Sequence, residues 1–151
     1  MPAAIPDTPA TAGPDAGTTP NRPAIRSFVA RAGRMTVAQE RAWRELWPRY
    51  GLAATDETLD LDTAFGRAAP RTLEIGFGNG ESLVALAQAH ADEDFLGIEV
   101  HRPGVGHLML RAESLGLGNI RVACRDAVEV LSRQMPDASL DSQDTAMLAL
   151  A

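Results

Sequence analysis

From about residue 71 onward, apolar runs and amphipathic stretches alternate along the chain. Short apolar runs bounded by turn residues indicate strands at residues 71–75, 95–100 and 119–124. Apolar residues at helical spacing predict helices at residues 82–90, 103–115 and 127–134. Strands and helices that alternate in this way predict a doubly wound, parallel α/β sheet, with a ligand at the carboxyl ends of its strands.

The region before the sheet carries one predicted helix. Thr36 and Gln39 have the spacing of a capping box, which indicates the first residue of a helix. Behind them an apolar stripe follows helical spacing and comprises Trp43, Leu46, Trp47 and Tyr50. Such a stripe packs into a core more often than it binds a ligand, so we expect it to be buried.

Composition divides the chain into four parts. Residues 1–24 hold six of the ten prolines and almost nothing to bury, which predicts a disordered tail. Residues 25–70 form an Arg-rich helical segment that ends in an acidic loop at 52–70. Residues 71–141 form the predicted cofactor-binding half-domain, and residues 142–151 are a tail whose last six residues are small and apolar, without turn residues.

The net charge of −6 is unevenly distributed, because all fourteen basic residues are arginines and half of them lie between residues 22 and 49. A locally basic segment on an acidic protein favours contact with nucleic acid. A solvated helix face explains the same arginines equally well.

Several classes of protein are disfavoured. Cys124 is the only cysteine, and the three histidines do not follow a zinc-ligand spacing, so no disulfide framework or metal site is expected. No apolar run approaches the roughly 20 residues that a membrane span needs. We expect a cytoplasmic monomer with no membrane partner.

The glycine loop, residues 76–80, links the first predicted strand to the next helix. Its pattern is Gly76-x-Gly78-x-Gly80, which suits a sharp turn that a ligand approaches closely at a helix N-terminus. A dinucleotide fingerprint would place a glycine at position 81, where this chain has Glu81. A hydride-transferring dinucleotide enzyme is therefore only a distant alternative.

Three carboxylates mark the ends of the three predicted strands. Glu74 suits a ligand with an ammonium group, Glu99 can accept both hydroxyls of a ribose, and Asp126 can accept from an adenine amino group. Each alone would more often be a cap or a turn residue. Together they predict a site for S-adenosylmethionine, which has an ammonium group and no pyrophosphate.

The chain resembles the bacterial tRNA (guanine-N7)-methyltransferases over residues 25–141. The resemblance rests on short motifs at residues 26–29, 34–36, 46–48, 73–80, 95–106 and 126–131. It implies a class I, Rossmann-like methyltransferase fold, a guanine in the tRNA variable loop as substrate, and RNA contacts by the Arg-rich segment. The cofactor-binding positions that it implies are Glu74, Gly76, Gly78, Gly80, Glu99 and Asp126.

The resemblance stops abruptly after Asp141. In the family a fourth strand follows, ending in Pro-Asp-Pro-Trp with the proposed catalytic Asp, and then a basic run that grips tRNA. Residues 142–151 contain none of these, which suggests a frameshift or a premature stop. We therefore expect no catalytic residue, an open edge on the first strand and an incomplete C-terminal core. The alternative function is a non-catalytic, S-adenosylmethionine-binding or poorly folded fragment.

Overall fold

The computed structural model describes residues 33–135 and 145–148. Within them, one sheet is formed by β1 (Arg71–Ile75), β2 (Asp94–Ile98), β3 (Ile120–Ala123) and β4 (Thr145–Leu148). The strand order is β3-β2-β1-β4 and every pairing is parallel. The predicted parallel α/β sheet is therefore confirmed.

Six helices accompany the sheet in the described residues. They are α1 (Val37–Glu45), α2 (Trp47–Tyr50), α3 (Leu61–Phe65), α4 (Glu81–Ala89), α5 (Arg102–Ser114) and α6 (Ala127–Glu129). A π-helical turn at Val130–Gln134 continues α6. The elements predicted from residue 71 to residue 134 lie within about two residues of their observed ends, which is the usual uncertainty of such boundaries.

Two apolar cores cover the two faces of the sheet. Phe95 and Leu96 are neighbours in β2 but belong to different cores, because successive side chains of a strand point to opposite faces. One core holds α1, α4 and α5 against the sheet, and the other holds α3 and α6. Helices on both faces bury β1 and β2 almost completely, as expected for a doubly wound sheet.

Of the first two helices, α1 packs against α5 and α2 contacts β3. The capping box at Thr36 is present. Of the predicted core stripe, Leu46 and Tyr50 are buried, whereas Trp43 and Trp47 are half-buried against the same core, so the prediction is confirmed in part. The stripe is divided between two helices, because Pro48 has no N–H with which to continue the hydrogen bonds of α1. The Tyr50 hydroxyl donates a hydrogen bond of 3.0 Å to the Leu117 carbonyl.

The predicted loop at residues 52–70 contains a short helix, α3, so this prediction was wrong in part. The Asp60 side chain caps the helix by accepting from the Thr63 N–H at 3.2 Å, and Gly66 ends it in the left-handed region at φ 75°. A single turn of helix has too few residues to show an amphipathic period, and for this reason the sequence pattern did not indicate it.

The prediction of an open β1 edge was also wrong. Residues 145–148 form β4, which pairs with β1 in the register Leu73↔Ala146 and Glu74↔Met147. The unpaired backbone groups along a strand edge are a template for any extended segment that reaches them. β1 is therefore an interior strand, with β2 on one side and β4 on the other.

Some predictions lie outside the described residues. These are the disordered tail at 1–24, the motif at 26–29, the arginines at positions 22, 26 and 31, and the divergence after Asp141 up to residue 144. Among the described residues, no helix is long and apolar enough to cross a membrane.

Candidate cofactor-binding site

The glycine loop makes a sharp turn between β1 and α4. Gly76, Gly78 and Gly80 have φ values of 74°, 64° and 77°, in the left-handed region that other L-residues rarely adopt. The loop therefore requires its glycines, as predicted from their spacing.

Two of these glycines have different surroundings. A Cβ at Gly80 would lie 2.4 Å from Cδ1 of Leu108, so this position is closed by the packing of α5. A Cβ at Gly78 would meet nothing within 4 Å, and this residue is exposed. The backbone at Gly78 is thus the part of the loop that a ligand can approach.

Glu99 directly follows β2 and is only 6% exposed. Its Oε2 accepts a hydrogen bond of 2.7 Å from the Gly78 N–H, and its Oε1 accepts from the N–H groups of Val100 at 2.9 Å and His101 at 3.1 Å. The carboxylate therefore joins the glycine loop to the N-terminus of α5.

Glu74 lies one residue before the end of β1, opposite Gly97 of β2, and is 5% exposed. Burial raises the pKa of this carboxyl group, while a hydrogen bond with the Ser82 side chain acts in the opposite direction. Its Oε2 has no hydrogen-bond partner among the described residues. Because buried polar atoms almost always have a partner, a ligand group that donates a hydrogen bond here would complete the site.

Asp126 follows β3 and is half-buried. It is the N-cap of α6, and its Oδ1 accepts a hydrogen bond of 2.8 Å from the Val128 N–H. The parallel strands bring Glu74, Glu99 and Asp126 to the same end of the sheet, as predicted. Asp126 also has the capping role that a lone aspartate at a helix start would most often have.

Cys124, between β3 and Asp126, lies near Glu99. Its Sγ is 3.8 Å from the Val100 carbonyl oxygen, and burial raises the pKa of the thiol. A raised pKa keeps the thiol protonated, so Cys124 is not an activated nucleophile.

Sequence reasoning did not single out the residues that support this site. Ser82 bonds to Glu74, and Gly104 of α5 contacts the glycine loop so closely that a Cβ there would lie 2.1 Å from the Gly78 carbonyl oxygen. The sequence signal for Gly104 was its place in the long motif at residues 95–106, but the motif alone did not reveal what the glycine touches.

The Arg-rich segment packs beside the site. The Trp43 indole N–H donates to the Arg102 carbonyl at 3.0 Å, and the Arg102 guanidinium lies 4.0 Å from the centre of the Trp43 ring. Arg41 is paired with Glu45 and Glu113, both at 3.1 Å, whereas Arg34 is exposed. Acidic neighbours thus offset part of the basic charge that the sequence indicated.

A family model described as "Putative methyltransferase" matches residues 68–143. The match spans just over half of the chain and includes β1, β2, β3, the glycine loop and the three carboxylates. The chain belongs to this methyltransferase family. Its family resemblance, predicted from the motifs, is confirmed.

Curated relatives carry one name. The chain is 59% identical over 124 residues to the "tRNA (guanine-N(7)-)-methyltransferase" of Alkalilimnicola ehrlichii, a match that covers 81% of this chain and 52% of the relative. It is 61% identical over 117 residues to the protein of that name from Edwardsiella ictaluri, covering 78% of this chain and 49% of the relative. The methyltransferase chain spans about half the length of the curated relatives it matches.

A solved structure, titled as a SAM-dependent methyltransferase from Thiobacillus denitrificans in complex with S-adenosyl-L-homocysteine, is 26% identical. The match covers 62% of this chain and 39% of the chain in that structure, with a TM-score of 0.37.

Proposed function

We propose that this chain binds S-adenosylmethionine at the carboxyl ends of β1, β2 and β3, and that it carries the cofactor-binding half of an enzyme that methylates N7 of a tRNA guanine. The family match and the names of the relatives support the reaction class. The observation that carries the cofactor assignment is that the buried Oε2 of Glu74, beside a glycine loop, has no hydrogen-bond partner within residues 33–135 and 145–148.

The residues fit this cofactor. Glu74 would accept from its ammonium group, Glu99 would accept from one of its ribose hydroxyls, and Asp126 would accept from its adenine amino group. Gly76, Gly78 and Gly80 would let it approach the loop backbone. When bound, S-adenosylmethionine supplies an electrophilic methyl group on a positively charged sulfur.

Methylation of guanine N7 needs positioning more than a strong base, because N7 has a free lone pair. Catalysis should then depend on in-line alignment of this lone pair with the methyl group. The contribution of the described residues is to bind and orient the cofactor. We assign no catalytic residue among them.

The partner we propose is tRNA, contacted through the Arg-rich segment. Arg34 and Arg44 are exposed, and salt-dependent phosphate contacts by such arginines would position the RNA. Fluorescence anisotropy with labelled tRNA tests this, since Arg34→Ala and Arg44→Ala should each weaken binding and reduce its salt dependence. Arg133→Ala, an exposed arginine on the opposite face of the sheet, is the control and should change neither.

Isothermal calorimetry with S-adenosylmethionine tests the cofactor assignment. The unchanged chain should bind, while Glu74→Gln and Glu99→Ala should each reduce affinity. Glu57→Gln removes an exposed carboxylate in the loop before α3 and should bind normally. Equal affinities for all four proteins would contradict the site, and preferential binding of NADH would favour the dinucleotide alternative.

The second candidate function is a non-catalytic, cofactor-binding fragment. It is favoured by the described residues, which offer groups that would bind the cofactor but none to which we assign a catalytic role. A tRNA methylation assay with the purified 151-residue chain separates the two candidates. Cofactor binding without any methyl transfer would support the fragment.

A further inference from the structure

We propose that Glu99 holds the glycine loop in its ligand-binding conformation before any cofactor is present. This positioning role is distinct from the contact with ribose assigned to the same carboxylate. The inference deepens the proposed function, and the part that concerns ligand affinity rests on it.

The first observation is that one buried carboxylate serves three backbone donors from two segments. Gly78 lies in the glycine loop, whereas Val100 and His101 precede α5, and the three hydrogen bonds measure 2.7, 2.9 and 3.1 Å. Hydrogen bonds to a charged acceptor are stronger than those between neutral groups. Glu99 therefore links two segments that are more than twenty residues apart in the sequence.

The second observation is that Gly78 is held from its other side as well. Its N–H is bound by Glu99, and its carbonyl oxygen lies against Gly104 in the first turn of α5. Gly78 is exposed, and a Cβ at this position would meet no atom within 4 Å, so packing on that side does not restrain the residue. A glycine without such restraints samples many backbone conformations, and a ligand would then have to order the loop when it binds.

The third observation concerns acceptor capacity. A carboxylate offers about four lone-pair sites, and in Glu99 three of them are used by backbone N–H groups. The carboxylate can thus bind the loop and a ribose hydroxyl together through Oε2. Removal of Glu99 has two separable consequences, which are loss of the ribose contact and loss of the ordered loop.

Amide hydrogen exchange on the ligand-free, 151-residue chain tests the loop-holding role directly. In Glu99→Ala, the protection of the Gly78 amide should fall by about tenfold or more, the usual effect of losing a hydrogen bond to a charged group. The amides of β1, β2 and β3 should keep their protection. Glu57→Ala is the matched control and should leave the Gly78 amide unchanged.

Unchanged Gly78 protection in Glu99→Ala overturns the proposal. If Glu99→Ala loses protection throughout the sheet, Gly104→Ala decides, because it keeps the carboxylate and displaces the Gly78 carbonyl. A loss of amide protection that is confined to Gly78 in that variant supports the proposal. The proposal is overturned if Gly104→Ala leaves the protection of the Gly78 amide unchanged, or if it lowers protection throughout the sheet.

A second measurement separates loop ordering from ribose contact. S-Adenosylhomocysteine and its 2′,3′-dideoxy analogue are titrated into the unchanged chain and into Glu99→Ala. If Glu99 only contacts the hydroxyls, both proteins bind the dideoxy analogue equally, which overturns the proposal. We expect the variant to bind even this analogue about tenfold more weakly. Failure of the unchanged chain to bind either ligand contradicts the proposed function, while hydrogen exchange still decides the role of Glu99.

Discussion

The Cα of Gly80 faces the side chain of Leu108, so that a Cβ at position 80 would lie 2.4 Å from Cδ1 of the leucine. This contact joins the start of α4 to the middle of α5. Gly80 also has a φ of 77°, so two separate constraints act on one residue of the glycine loop.

We expect Gly80→Ala to destabilise the chain by about 2–5 kcal/mol, because the left-handed backbone costs about 1–2 kcal/mol and overpacking costs about 1–3 kcal/mol. Gly66→Ala is the matched control, since Gly66 has a φ of 75° but open space beside it. Gly66→Ala should lower the free energy of unfolding only by the cost of the left-handed backbone. Chemical denaturation of both variants measures the difference, and equal costs would contradict the contact with Leu108.

The buried carboxyl of Glu74 should make the stability of the ligand-free chain depend on pH. Because burial raises its pKa, the folded chain binds this proton more tightly than the unfolded chain does. This carboxyl therefore adds stability as the pH falls through its raised pKa, and that stability is lost as the pH rises again. Glu74→Gln should have a higher Tm than the unchanged chain near neutral pH.

The advantage of Glu74→Gln should shrink as the pH falls toward the ordinary glutamate pKa of about 4.3, where the unchanged chain is protonated as well. Thermal denaturation over a pH series measures this difference in Tm between the two proteins. Glu57→Gln, at an exposed position, should show no such pH-dependent gain. A glutamine variant that is less stable at every pH would mean that the ionised carboxylate is well accommodated in the fold.

Cofactor binding should make Glu74 favour its ionised form over the protonated form that burial favours. An ammonium group beside Oε2 favours the ionised carboxylate, so binding should release a proton wherever the raised pKa leaves Glu74 partly protonated. Affinity for S-adenosylmethionine should rise with pH up to that pKa and level off above it. Calorimetry in two buffers of different ionisation enthalpy counts the protons, and a proton release that Glu74→Gln retains would assign it to another group.

Sequence patterns predicted the sheet well because its strands are buried and its turns have distinctive residues. The bounds of β1 follow from Pro70 before it and Gly76 after it, and the glycine loop follows from its spacing. Leu46 and Tyr50 of the apolar stripe were correctly expected to be in the core. Residues of these kinds impose their structure locally, so the chain around them can be interpreted without its tertiary contacts.

The features of the fold and the site that the sequence did not predict depend on contacts between residues that are distant in the sequence. Glu99 could be recognised as a strand-end acid, but its bond to Gly78 requires the positions of two segments that the sequence does not relate. Likewise, only the folded surroundings reveal that Glu74 Oε2 has no hydrogen-bond partner in the part of the chain that the structure describes. The pairing of β4 with β1 was not predicted because four residues without flanking turn signals resemble any short apolar segment.

The pairing of β4 with β1 can be tested with two proline variants, because backbone hydrogen bonds join the strands of a parallel pair. In a parallel pair, alternate residues of an edge strand direct their N–H groups toward the partner strand and away from it. Proline lacks this N–H and is tolerated in an edge strand only where the N–H faces outward. Of Ala146→Pro and Met147→Pro, one should therefore lower the Tm of the chain clearly and the other only slightly. Equal stability of both variants and the unchanged chain would show that β1 does not depend on β4, and that its second edge is open as the sequence first indicated.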